Sequence, residues 1–259
     1  MISVIIPCFR CQETVERALD SVLAQSLQPS EIFLINDASG DGTLDLLRDL
    51  ERLHAPLVRV ISLAENGGPG LARNAGWDAA SQPWIAFLDA DDAWHPRKLE
   101  MQWGWLSAHP EVDLCGHDTR WAADGRIDHP VRAAPQVTWL NLKQMLISNR
   151  LPTRSVMLRR DLPLRFRGRD VTEDYLLWLQ IIADGRIASR LEVCLAYSLR
   201  PDFSPGGYSG HLWAHEKREL AALRTLGVEG QFSWFMWIAS SSWSFVKFLR
   251  RSWLALGMR

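Results

Sequence analysis

The first half of the chain alternates short apolar runs with stretches whose apolar positions recur every three or four residues. "SVIIPCF" (3–9), "EIFLIND" (31–37), "VRVISLA" (58–64) and "PWIAFLDA" (83–90) have the length and β-branched or aromatic content of buried strands. Between them, helical spacing places Val15, Leu19, Val22 and Leu23 on one face of 13–26. It places Leu44, Leu47 and Leu50 on one face of 41–53. Residues 68–80 open with Gly and Pro and continue as a helix, since proline is tolerated in a first turn; 95–106 form the next helix, with Pro96 near its start. Strand and helix alternating with short connections predict an α/β fold with a mostly parallel sheet covered on both faces. In such sheets ligands bind outside the carboxyl ends of the strands. Three strands end in polar clusters, "PCFR" (7–10), "NDASGDG" (36–42) and "DADD" (89–92), so all three are expected to face one crevice.

The second half is less regular. "VDLCGHDTRW" (112–121) suggests a further strand, "ADGRIDHP" is rich in turn residues, and "NRLPTRSVMLRRD" (149–161) carries a short strand after a loop. "VTEDYLLWLQIIADG" (171–185) predicts a helix with Thr172 as N-cap. Its first turn holds Glu173 and Asp174, where the helix dipole favours acids. "RLEVCLAYSLR" (190–200) is strand-like. From Gly230 the character changes: no acid follows, Lys247, Arg250, Arg251 and Arg259 are basic, and Trp234, Trp237, Trp243 and Trp253 lie among four phenylalanines. The uncharged run from Gly230 to Val246 is short and Ser-rich for a span of about 20 residues. Aromatic and basic residues together suit a membrane interface, or a helix packed on the domain. The expected division is a domain over 1–229, with halves of about 1–110 and 111–229, and an aromatic and basic helical appendage over 230–259.

A formal net charge of −1 gives no global attraction to nucleic acid, and none is expected as a partner. Of four cysteines, Cys8 and Cys11 form a C-x-x-C with no second pair at zinc spacing; small residues at a strand-to-helix corner are the favoured reading. "MISVIIPCF" enters a strand-like run with no basic leader or cleavage site, which makes the cytoplasm the expected compartment.

The candidate chemistry lies at the strand ends. Side chains two apart share a strand face, so Asp89 and Asp91 can converge beyond the strand end, where hard cations such as Mg²⁺ or Mn²⁺ take carboxylate and phosphate oxygens. A bare D-x-D serves equally as a helix N-cap with solvated acids around Trp94. Asp37 can accept hydrogen bonds from a base or ribose, or simply form the turn. Phe9 can stack on a base or close the edge of the core. "NGGPGLARNAG" (66–76) sets a glycine-rich loop before a helix N-terminus, an anion-friendly place, although neither the P-loop nor the dinucleotide pattern is present. Arg73 can reach a phosphate there, or pair with a strand-end Asp. Asp174 can act as a general base or complement the helix dipole.

In this order "VIIPCFR", "LINDASGDGT", "NGGPGLARNAG", "FLDADD" and "TEDYLLWLQI" resemble the glycosyltransferase family 2 enzymes of GT-A fold, over roughly residues 1–200. The resemblance implies a Rossmann-like nucleotide-binding half over about 1–110 and an acceptor half over about 111–229. It implies a nucleotide-diphosphate sugar donor, most often a UDP-sugar, a saccharide or lipid-linked acceptor, a divalent metal (Mn²⁺ or Mg²⁺) and inversion at the anomeric carbon. It assigns Pro7 and Phe9 to the nucleotide, Asp37 to the base, Arg73 to the diphosphate region, Asp89 to the ribose side, Asp91 to the metal and Asp174 to the catalytic base. A membrane-associated tail over 230–259 would fit an acceptor carried on lipid, as in cell-envelope polysaccharide or glycolipid assembly, peripheral on the inner face of the membrane. The sequence departs from the family in reading "NDAS" where "DDGS" is frequent, and "SLRPDFSPGGYSG" (198–210) lacks the expected basic acceptor-side pattern. The rival readings are a nucleotidyltransferase, for which "PCFRCQET" supplies no basic glycine loop, and a non-catalytic sugar-nucleotide-binding or scaffolding protein.

Overall fold

The computed structural model describes residues 1–122, 125–199 and 212–257. Its first half runs β1 (Ile2–Cys8), α1 (Val15–Leu23), β2 (Glu31–Asn36), α2 (Thr43–Leu53), β3 (Val58–Ser62), α3 (Pro69–Ala79), β4 (Trp84–Phe87), β5 (Asp92–Trp94) and α4 (Lys98–Ala108). There follow β6 (Leu114–Trp121), β7 (Val137–Leu140), α5 (Leu142–Ile147), a 3₁₀ turn (Thr153–Ser155), β8 (Met157–Arg159), α6 (Glu173–Ala183), β9 (Ala188–Ser198), α7 (Leu212–Val228) and α8 (Trp234–Gly257). Every strand and helix expected in the first half is present, with ends that differ by up to three residues. The fourth strand differs most. β4 stops at Phe87, the chain turns with the Asp92 N–H bonded to the Asp89 carbonyl at 3.1 Å, and Asp92–Trp94 pair antiparallel with β9. β7, α5 and α7 have no apolar periodicity to announce them. α5 is set by a capping box between Asn141 and Gln144, and α7 turns two acids, Glu216 and Glu219, inward.

One nine-stranded sheet organises the molecule, in the order β3-β2-β1-β4-β8-β6-β9-β5 with β7 added on β9. The β3-β2-β1-β4 half is parallel. The other half is mixed: β8 runs antiparallel to β4 and β6, β9 parallel to β6, and β5 and β7 antiparallel to β9. Because side chains alternate along a strand, Val4 and Ile6 of β1 join Ile32 and Leu34 beneath α1, α2 and α4. Ile5, Phe33 and Ile35 pack with Trp77 of α3 and Leu176 and Leu177 of α6 on the opposite face. The end of the chain is a helical hairpin that turns at Gly230 (φ 74°), and Phe232 and Trp237 join the α3/α6 layer. The acceptor-side stretch at 198–210 falls almost wholly outside the described residues.

The closest helix-on-sheet approach is at Gly76 of α3. A Cβ there would lie 2.6 Å from Ile5 Cγ2 and 3.3 Å from Ile35 Cδ1, both core atoms with nowhere to move. Gly76→Val is expected to lower stability by about 2 kcal/mol, read as the urea unfolding midpoint. Gly104→Ala in α4, where nothing lies within 4 Å, should instead be neutral or gain up to about 1 kcal/mol from helix propensity.

Candidate active site

The carboxyl ends of β2, β1 and β4 lie side by side on one edge of the sheet. The β1–β4 ladder ends at Ile5–Phe87, and the Leu88 N–H still reaches the Ile5 carbonyl at 3.1 Å. Beyond that point stands Pro7, buried within β1 and lacking the N–H that would continue the ladder, so the two strands part. Phe9 follows, 45% exposed, with the Arg10 guanidinium 5.2 Å from its ring centre. Two residues at this rim, Arg10 (φ 49°) and Ala38 (φ 50°), adopt the left-handed backbone that ordinarily favours glycine. Ala38 is the position where "DDGS" carries glycine. The strained pair is held by Ser39, whose Oγ accepts from the Arg10 N–H at 3.1 Å and whose N–H donates to Asn36 Oδ1 at 3.2 Å. Asn36 also donates to Ser62 Oγ at 3.0 Å. The Asn36 amide, donating to Ser62 and accepting from Ser39, ties β2 to β3 and braces the turn together.

Asp37 is buried, and both carboxylate oxygens are engaged: Oδ1 accepts from the Gly67 N–H and Oδ2 from the Gly68 N–H, each at 2.8 Å. The Asn66 amide donates to the Asp37 carbonyl at 2.9 Å, and Arg169, half exposed, lies 3.9 Å from Oδ2. Asp37 therefore pins the glycine loop at the start of α3, where Gly68 takes φ 92°. Arg73, one turn into α3, is buried. It donates to Asp89 Oδ1 at 2.5 Å, lies 3.7 Å from Glu173 Oε1 and sits over the Phe166 ring. Burial disfavours its charge, but Asp89 and then Glu173 hold the guanidinium pKa above its ordinary value.

Two adjacent acids are pushed the other way. Burial, followed by the charge of Asp174, raises the Glu173 carboxyl to about 7 against the pull of Arg73. Burial raises Asp92 to about 7 even though Arg154 Nη1 lies 3.0 Å from its Oδ2; desolvation outweighs the ion pair. The 3₁₀ turn that delivers Arg154 also delivers Thr153, whose hydroxyl donates to Asp174 Oδ2 at 3.0 Å. Asp174 Oδ1 accepts from the Tyr175 N–H at 2.7 Å, at the first turn of α6.

No group of three or more His, Cys, Asp or Glu able to hold a metal occurs among the described residues. The D-x-D nevertheless offers hard donors of a suitable kind. Asp89 pairs with Arg73 and Asp92 with Arg154, and Asp91, part exposed at the rim between them, is a carboxylate of the kind such an ion takes. One or two protein carboxylates completed by phosphate oxygens and water is how Mg²⁺-type ions bind nucleotides. The residues fit such an ion when a diphosphate brings the remaining ligands. Cys8 and Cys11 are buried at the β1–α1 corner, and burial raises the Cys8 thiol pKa well above its usual value.

The structure thus gathers the predicted residues on one rim, but in two linked groups. Pro7 and Phe9 stand at the end of β1 beside Asp37, which holds the glycine loop, and Arg73 joins Asp89 to Glu173 of α6. Thr153, Arg154, Glu173 and Arg169 were not singled out by sequence, or not given a partner. Their side chains acquire meaning only through contacts some 20 to 130 positions away, and no local spacing marks them.

Residues 3–167 match Glycosyl transferase family 2. TuaG of Bacillus subtilis strain 168, named as a teichuronic acid biosynthesis glycosyltransferase, is 29% identical over 76% of this chain and 77% of its own. WfaP of Escherichia coli, named as a UDP-Glc:α-D-GlcNAc-diphosphoundecaprenol β-1,3-glucosyltransferase, is 26% identical over 88% of each chain. The fold is similar to that of S. aureus TarS 1–349 in complex with UDP-GlcNAc, with a TM-score of 0.71 and 19% identity over 96% of this chain and 72% of that one.

The raised Glu173 carboxyl has a consequence for stability. Between its ordinary value of 4.5 and about 7 the folded chain holds a proton that the unfolded chain has released, so its contribution to stability is lost as pH rises through that window. Urea unfolding of wild type at pH 5 and pH 7.5, compared with Glu173→Gln, should show the variant losing less, by on the order of 1–3 kcal/mol. Equal losses would place the proton elsewhere.

Proposed function

Because the chain belongs to glycosyl transferase family 2 and is a glycosyltransferase, we propose that it moves a sugar from a nucleotide-diphosphate donor to an acceptor hydroxyl, in one inverting displacement. The observation that carries this reading is Asp174, a carboxylate oriented from both ends at the start of α6 and electrostatically linked through Arg73 to the D-x-D. Each of its oxygens accepts one hydrogen bond and keeps a second lone pair, so it can take the proton of an attacking hydroxyl. One base suffices, since a single displacement requires no second catalytic carboxylate.

The other residues divide the donor between them. Phe9 offers a ring face to the base, beside the pocket edge formed by Asp37 and the Gly67–Gly68 amides it fixes. Asp89, oriented by Arg73, serves the ribose side, and Asp91 holds a Mn²⁺ or Mg²⁺ ion. That ion, when bound, would neutralise the diphosphate and stabilise the charge it gains on leaving. A UDP-sugar donor is supported by the ligand of TarS and the name of WfaP, and a saccharide or lipid-linked acceptor by the names of TuaG and WfaP. The setting in keeping with these relatives is cell-envelope polysaccharide assembly at the inner face of the membrane. No described helix is long and apolar enough to cross one, so contact would be peripheral. The family match argues against a nucleotidyltransferase.

With Mn²⁺ and a panel of nucleotide sugars, wild type should hydrolyse or transfer one donor. Asp174→Asn should lower the rate 10²–10⁴-fold with donor binding retained, whereas Asp91→Ala should weaken donor binding itself and remove its dependence on Mn²⁺. Unchanged transfer in both variants would refute the mechanism. Retained donor binding with no transfer by wild type would favour a sugar-nucleotide-binding protein.

A further inference from the structure

α8 is amphipathic in the reverse sense to a helix on a soluble domain. Its inward stripe is polar: Ser240, Ser244, Lys247 and Arg251 recur at helical spacing against α7. Ser244 Oγ donates to Glu216 at 3.0 Å, Arg251 lies 3.0 Å from Glu216 and 3.4 Å from Glu219, and Lys247 lies 2.6 Å from Glu219. Glu216 and Glu219 are buried. Burial presses both carboxyls upward; Lys247 and its neighbours bring Glu219 below its ordinary value, while Glu216 stays raised. The outward stripe is apolar: Phe235, Ile238, Phe245, Val246, Leu249 and Trp253 are all exposed, Trp253 at 73%. A soluble helix turns these two faces the other way.

We propose that the outer face of α8 docks onto an anionic lipid bilayer surface, with the α7 acids locking the helix in that presentation. The proposal deepens the membrane setting of the proposed function and rests on it for its purpose, not for its geometry. Lipid is favoured over a second copy of the chain by charge and residue type. No acid occurs from Gly230 to Gly257, and Arg250 lies exposed at the flank of the apolar face, where it can meet lipid phosphates. Trp234 and Trp253, exposed near the two ends of the helix, have the amphipathic rings that settle at headgroup depth. The face continues onto neighbouring elements. Trp213 of α7 lies tilted against Phe248 with ring centres 5.4 Å apart, and the Trp243 Nε1–H donates to the carbonyl of exposed Ile147 of α5. An apolar face of this breadth on a 24-residue helix suits a helix lying in the interface plane, its apolar side at the acyl boundary.

The test is co-sedimentation of the whole chain with vesicles of phosphatidylglycerol and phosphatidylcholine. The triple variant Phe245→Ser, Leu249→Ser, Trp253→Ser changes only exposed side chains; its fold is checked by circular dichroism and by donor-induced thermal shift with Mn²⁺. It should bind vesicles at least tenfold more weakly than wild type with the donor shift unchanged. Arg250→Glu should lose mainly the preference for the anionic lipid. Docking fails if wild type does not bind vesicles, or if the triple variant binds as well as wild type. It also fails if wild type sediments as a dimer without lipid and the triple variant as a monomer, which would make α8 a self-interface. Vesicle binding that survives in a chain showing no donor shift would sustain the docking while removing the transferase reading.

Discussion

A single buried guanidinium orders the site. Arg73 cannot sit within the fold as a bare cation, because burying an unpaired charge costs several kcal/mol. It is therefore matched by Asp89 beyond β4 and Glu173 at the head of α6, with Phe166 beneath its plane. The three elements that meet at this cation are the three that carry the glycine loop, the D-x-D and Asp174. Their relative position is set by charge neutralisation in a low-dielectric interior, not by hydrophobic packing alone. The same arrangement divides neighbouring acids: Asp89 pairs directly with the cation, while Glu173 shares its buried volume and has its carboxyl raised to about 7.

Around that core, backbone geometry shapes the crevice. The missing N–H of Pro7 ends one ladder, and left-handed residues at Arg10 and Ala38 bend the chain sharply at the ends of β1 and β2. Strain of this kind costs roughly 1–3 kcal/mol per residue and persists where surrounding bonds over-determine it. Here Ser39 and Asn36 provide those bonds. A short 3₁₀ turn then braces two acids at once, Thr153 on Asp174 and Arg154 on Asp92.

The C-terminal hairpin follows a different logic. α7 and α8 meet through ion pairs and serines, while Leu223, Leu226 and Trp237 pack on the α3/α6 layer and the outer apolar stripe of α8 is left exposed. Buried ion pairs add little net stability over a well-packed apolar contact, yet breaking one partner is costly. Such pairing suits a helix that must be held in one rotation about its axis. It also shows that packing on the domain and exposing a membrane-like face, alternatives in the sequence, coexist on opposite sides of one helix.

Local pattern was enough for the alternating elements of the parallel half, the rim of polar strand ends and the family's motifs, because period-2 and period-3.6 burial and turn chemistry act over a few residues. Phe9, Asp37, Asp89, Asp91 and Asp174 stand out in the sequence on those grounds, as residues at strand ends and at a helix start. Tertiary structure alone decided that Arg73 is a buried strut, that Asp37 holds the glycine loop, that Asp92 opens a new strand, and that Glu173 rather than Asp174 carries the raised carboxyl. Each of these depends on which charges share a desolvated volume, and that is a property of distant segments brought together. Helix α8 shows the same limit: the stripe it turns to α7 is polar, so apolar periodicity points the wrong way until the buried acids of α7 are in place.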